Sequence, residues 1–155
     1  MQPRPKTHMR RFQFRLEHFL ELRRWKERES ELALAKKLGE CLLLERRILE
    51  IAAEVAASFQ SQFRTGNRVD INSMMRRELY VQRLARERER TEADLAQRRV
   101  ELEEVRTKYL QAAKDRKVLD KLKERQEAAS YEHQIDEEFK TIDDINTAAA
   151  TRGKW

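Results

Sequence analysis

The chain has 155 residues, 40% of them charged and 39% apolar, with a formal charge of +6 at pH 7. That balance is thin for a globular core and suits long exposed helices joined along a narrow seam. It excludes a bilayer span, which needs roughly 20 consecutive apolar residues, and the single Cys41 excludes an internal disulfide or a cysteine metal cage and is expected to pack as an apolar side chain.

Both prolines, Pro3 and Pro5, lie at the start, and the only glycines are Gly39, Gly66 and Gly153. Proline and glycine are the residues that break helices, so long uninterrupted helices follow from their scarcity. Residues 1–11 read as a flexible basic arm. Residues 1–28 hold nine Lys/Arg against Glu17, Glu21 and Glu27, so the whole net charge sits there and the remainder is neutral in sum. The start lacks the continuous apolar run of a signal peptide, and a cytoplasmic location is expected.

From Phe12 to about residue 64 the pattern is helical. Leu38, Leu42, Leu49, Ala52, Ala56, Phe59 and Phe63 recur at alternating spacings of four and three, with Glu45 interrupting, and predict the seam of this helix. Gly39 interrupts it at a cost of roughly 1 kcal/mol relative to alanine, which predicts a bend or slack point. The tip is expected at 65–70, Thr65-Gly66-Asn67-Arg68-Val69-Asp70, with Asp70 capping the next helix through the free amides of its first turn.

The second helix is expected over about 71–146. Its seam reads Leu84, Arg88, Thr91, Leu95, Arg98, Leu102, Val105, Tyr109, Ala112, Arg116 and Leu119. A short connection makes neighbouring helices antiparallel, so Phe12 should lie near residues 120–125 and the helix from about Gln126 should project past its partner. That projection carries Tyr131, Ile135, Phe139 and Ile142 at helical spacing, an apolar stripe that calls for a partner. Residues 147–155 read as a disordered tail. The expected fold is all-α, a long antiparallel two-helix coiled-coil hairpin over residues 12–146.

No chemistry-bearing motif interrupts this pattern. His8, His18 and His133 are far apart, no phosphate loop or nucleophile elbow occurs, and a two-helix rod offers no enclosed pocket, so neither an enzyme nor a cofactor is expected. Arg76, Arg77, Arg83, Arg86, Arg88 and Arg90 raise the alternative of a nucleic-acid-binding rod, but Glu78, Glu87 and Glu89 dilute any phosphate-tracking stripe. No nucleic-acid partner is expected. A parallel homodimeric scaffold would bury Gly66 in a continuous helix and is disfavoured.

Three segments in order resemble the family of the flagellar type III export protein FliJ. They are Phe14-Arg15-Leu16-Glu17-His18-Phe19-Leu20-Glu21-Leu22-Arg23, the tip with Tyr80-Val81-Gln82-Arg83-Leu84 after it, and Leu119-Asp120-Lys121-Leu122-Lys123-Glu124-Arg125-Gln126 followed by Glu138-Phe139-Lys140-Thr141-Ile142-Asp143-Asp144-Ile145. The last is similar to that family's closing Glu-Gln-Lys-x-Leu-Asp-Glu motif, with Phe139 in place of Gln and Asp144 in place of Glu. Injectisome stalk proteins share the architecture with weaker motifs and are the nearest alternative.

The resemblance implies a fold like the γ-subunit stalk of rotary ATPases and a non-enzymatic role in flagellar type III protein export. It implies that the joined ends associate with the hexameric export ATPase, and the basic start and the unpartnered apolar stripe make Arg10, Arg11, Arg15, Leu16, Ile135, Phe139, Lys140, Ile142 and Asp143 the expected contacts. It places export-gate binding on Ala52, Ala56, Phe59, Phe63, Tyr80 and Leu84, and implies contact with export chaperones at the cytoplasmic face of the inner membrane, reached through these partners. Phe59, Phe63, Tyr80, Met74 and Met75 also fit a closed tip core, although Phe63 sits where the seam ends and Tyr80 is off the Leu84 register.

Overall fold

The computed structural model describes residues 11–64 and 70–152, with the backbone alone at 61–64. Arg10, most of the expected arm, the Gly66 break and the Phe63 side chain therefore lie outside the described residues. The fold is all-α, a hairpin of two long helices, α1 (Glu17–Arg64) and α2 (Ile71–Arg152).

Both starts are built by local hydrogen bonds. The Glu17 amide donates to the Phe14 carbonyl at 3.1 Å, and Glu17 places negative charge at the positive end of the helix dipole. Asp70 caps α2 as expected: its Oδ1 accepts from the Asn72 amide at 3.1 Å, and its carbonyl accepts from the Ser73 and Met74 amides, each at 3.1 Å. At the other end α2 runs past 146 to Arg152. Ala148, Ala149 and Ala150 are the strongest helix formers, and the Thr147 and Thr151 hydroxyls donate to the carbonyls one turn back.

The helices form two compact units, a middle unit of residues 27–111 and a terminal unit of residues 1–26 with 112–155. In the middle unit the pairs Lys37–Glu101 (2.7 Å), Arg99–Glu45 (2.8 Å) and Arg47–Glu87 (2.7 Å) rise in number along α1 as they fall along α2, which makes the packing antiparallel. In the terminal unit Lys123–Glu17 (2.7 Å), Arg23–Asp115 (2.9 Å) and Arg24–Asp120 (3.0 Å) are antiparallel as well.

The seam of α2 follows its expected register with one exception. Leu84, Thr91 and Leu95 are buried, and Arg98 through Leu119 on the same track are half-buried; Arg88 is exposed, and Glu87 is half-buried there instead. The seam of α1 does not follow its expected register. Cys41 and Ile51 are buried, with Leu34, Lys37, Leu44, Ile48, Val55 and Ser58 half-buried beside them, whereas Leu38, Leu42, Leu49, Ala52, Ala56 and Phe59 are exposed.

The true track lies one residue earlier, a rotation of about 100° on a helix of 3.6 residues per turn. The physical reason is that α1 is apolar on two sides. The side chosen is the one that also supplies charges to α2: Lys37 bonds Glu101, and Arg47 bonds Glu87. Gly39 lies within the continuous α1.

Candidate interaction surfaces

The first surface lies in the middle unit around Tyr80. The Tyr80 hydroxyl donates to Glu54 Oε2 at 3.0 Å, and Arg47 bonds Glu54 at 2.9 Å and Glu87 through both Nε and Nη2. The Arg47 hydrogen bond, then that of Tyr80, holds the Glu54 carboxyl below its ordinary pKa, and the bond to Glu54 pushes the Tyr80 phenol up. The Arg83 guanidinium stands 5.4 Å from the centre of the Tyr80 ring, so Tyr80 is held by both its hydroxyl and its ring face.

Beside it Phe59 is 47% exposed, with the Arg77 guanidinium 5.9 Å from its ring centre. Ala52 and Ala56 are exposed on the same helix, and Met74 and Met75 are exposed on α2, so Phe59 and the methionines do not close a tip core. Leu84 differs from the rest of its expected group. At 1% exposure it is one of the largest fully buried side chains and belongs to the core. In this packing it has no surface to offer a partner.

The second surface lies in the terminal unit. Arg11 and Arg15 are exposed and Leu16 is half-buried; Phe14 and Leu20 form the local core. Burial opposes ionisation of Asp120, but hydrogen bonds from Arg116 and Arg24 outweigh it and lower its pKa. Along α2, Ser130, Gln134 and Ile135 are half-buried, so complete exposure begins later than the sequence pattern suggests. From residue 136 to 152 every described residue is exposed, among them Phe139, Lys140, Ile142, Asp143 and Ile145.

A third surface was not singled out from sequence. Leu32, Leu42, Leu43 and Leu49 are all more than half exposed on the outward side of α1. The signal was present in the two apolar tracks of α1, only one of which can face α2. Among the described residues no cluster of His, Cys, Asp or Glu could hold a metal ion, and no helix is long and apolar enough to cross a membrane.

The model of the flagellar FliJ protein family matches residues 12–154, nearly the entire chain. The chain belongs to the flagellar FliJ protein family. No curated protein and no solved structure matches it. As a FliJ-family member it is a component of flagellar type III export and associates with the export apparatus. The match takes in all three segments quoted for the resemblance, including the closing motif around Phe139 and Asp144.

Proposed function

We propose that this FliJ-family chain is a non-enzymatic stalk whose terminal unit joins the hexameric export ATPase and promotes its assembly or activity. The carrying observation is the exposed end of α2: Phe139, Ile142 and Ile145 stand in solvent at helical spacing beside Lys140 and Asp143. Burying large apolar side chains releases about 1.5–3 kcal/mol each, so this stripe is a strong docking element. Arg10, Arg11 and Arg15 supply the cationic side of the contact, with Leu16 and Ile135 half in the core of the same unit.

The middle unit meets the cytoplasmic domain of the export gate, centred on Phe59 with Ala52, Ala56, Phe63 and Tyr80, and export chaperones bind along the same hairpin. Phe59, exposed and with the Arg77 guanidinium over its ring, is the kind of side chain that dominates protein interfaces, and half-buried Tyr80 adds a second aromatic. Leu84 contributes from the core by holding α2 in place. The chain then sits peripherally at the cytoplasmic face of the inner membrane through its partners.

The test is a pull-down with the purified export ATPase and the gate domain, combined with the double substitution Phe139→Asp and Ile142→Asp. ATPase binding and stimulation should be lost while gate binding and helicity persist. Full stimulation by the variant would overturn the assignment of the α2 end.

A further inference from the structure

Gly39 is not explained by the chain's own packing. Beyond its own turn nothing lies within 4 Å of where a Cβ would stand, so alanine would fit there and remove a cost of roughly 1 kcal/mol. A helical glycine with no internal neighbour is suited to the close approach of something outside. It sits in a shallow hollow lined by Lys36, Gly39, Glu40, Leu42, Leu43 and Arg46. The hollow is midway along the outward side of α1, from Leu32 to Ala53, where exposed leucines alternate with Lys36, Arg46 and Glu50.

That side is complementary to itself when reversed. Laid antiparallel on a second copy with the crossing between Leu42 and Leu43, Leu32 faces Ala53, Lys36 faces Leu49 with Glu50 next to it, and Gly39 faces Arg46. At two of these levels, Leu32 with Ala53 and Arg46 with Gly39, a large side chain meets a small one as a knob meets a hole, and at the level between them Lys36 lies along Leu49. The arginine stem can lie over the glycine while its guanidinium reaches water. Lys36 and Glu50 lie two heptads apart on one flank of the stripe, and in an antiparallel pair like flanks meet, so opposite charges face each other twice by symmetry.

We infer that the outward face of α1 is a two-fold self-association surface through which two copies of this chain pair antiparallel, centred on Leu42 and Leu43. The occupant is a second copy because the stripe carries its own complement in size and in charge. The stripe shares no residue with the partner contacts proposed above, so substitutions can test the two apart.

The test is sedimentation equilibrium of the full chain over a concentration series, with circular dichroism confirming helicity of every variant. Reversible dimerisation is expected, weakened about 100-fold by Leu42→Glu, which removes two apolar contacts per dimer. Lys36→Glu and Glu50→Lys should each weaken it about 5-fold, since surface pairs are individually small. An equimolar mixture of those two variants should regain the original affinity as a heterodimer, because each then meets its opposite charge. A chain monomeric at every concentration, a dimer indifferent to Leu42→Glu, or a mixture no tighter than the separate variants would each overturn the proposal.

Discussion

Arg47 of α1 grips Glu87 of α2 with two nitrogens, Nε at 2.9 Å and Nη2 at 2.7 Å, and bonds Glu54 on its own helix at 2.9 Å. One guanidinium thus bridges carboxylates from both helices, with Glu50 a third at 3.4 Å. Both nitrogens converge on the one oxygen Glu87 Oε1, while a third reaches Glu54, a spread of donors that the arginine fork supplies and a lysine ammonium does not. Arg47→Lys is expected to lower Tm, and Arg47→Ala to lower it further than Arg99→Ala, which removes only the pair with Glu45. Thermal melts of the three variants in low and high salt check the ranking, which should narrow as salt screens the charges.

The register of α1 makes a sharper expectation. Ile51 is 1% exposed and Leu49, two residues away, is 72% exposed. Ile51→Ala should cost about 3 kcal/mol, as a large-to-small change in a packed core does. Leu49→Ala should change the stability of the monomer by no more than about 0.5 kcal/mol. Urea titrations of both at dilute concentration decide it, and equal losses would mean the helix is rotated from the position described.

Acid should loosen the middle unit. Hydrogen bonds from Lys37 and then Arg98 pull the Glu101 pKa down to about 2, below that of an unfolded glutamate. A carboxylate with a depressed folded pKa contributes stability that is present above its unfolded pKa and lost as pH falls toward the folded one. The loss is therefore expected between about pH 4.5 and pH 2. The pair is only half-buried, and screening by water keeps the effect modest. Tm measured over that range should fall less steeply for Glu101→Gln than for the wild type.

At the gate-facing surface, ring and hydroxyl of Tyr80 can be separated. Tyr80→Phe keeps the stack under Arg83 and loses only the bond to Glu54, so it should retain most gate affinity. Phe59→Ala with Tyr80→Ala should abolish capture of the gate domain, because the two aromatic anchors are removed, with far-UV circular dichroism unchanged. Leu84→Ala should act differently, costing about 3 kcal/mol of stability as a cavity in the core. Retained gate capture by the double variant would place the contact elsewhere.

Much of this was legible in the residues themselves. The hairpin followed from where proline and glycine are missing, the α2 start from Asp70, and the α2 register from a helix whose other faces are so charged that one apolar track stands out. The α1 register was not legible, because Leu42 and Leu49 make as good a seam on paper as Leu44 and Ile51. The choice depends on charges across the gap, Lys37 to Glu101 and Arg47 to Glu87, which a single helix read alone does not contain. The end of α2 was set too early because apolar spacing stops near Ile145 while the alanines after it still favour helix. Leu84 came into the gate-binding group through the family resemblance, which matches residues by position and does not tell which of them the packing of α1 against α2 buries.

Cys41 is buried at 3% exposure in the middle unit and is the chain's only thiol. Its alkylation by a soluble reagent must wait for the helices around it to part, so the labelling rate is a native clock for breathing of the hairpin, with no engineered probe needed. A partner that clamps the middle unit will slow that clock, and one that pries the helices apart will speed it.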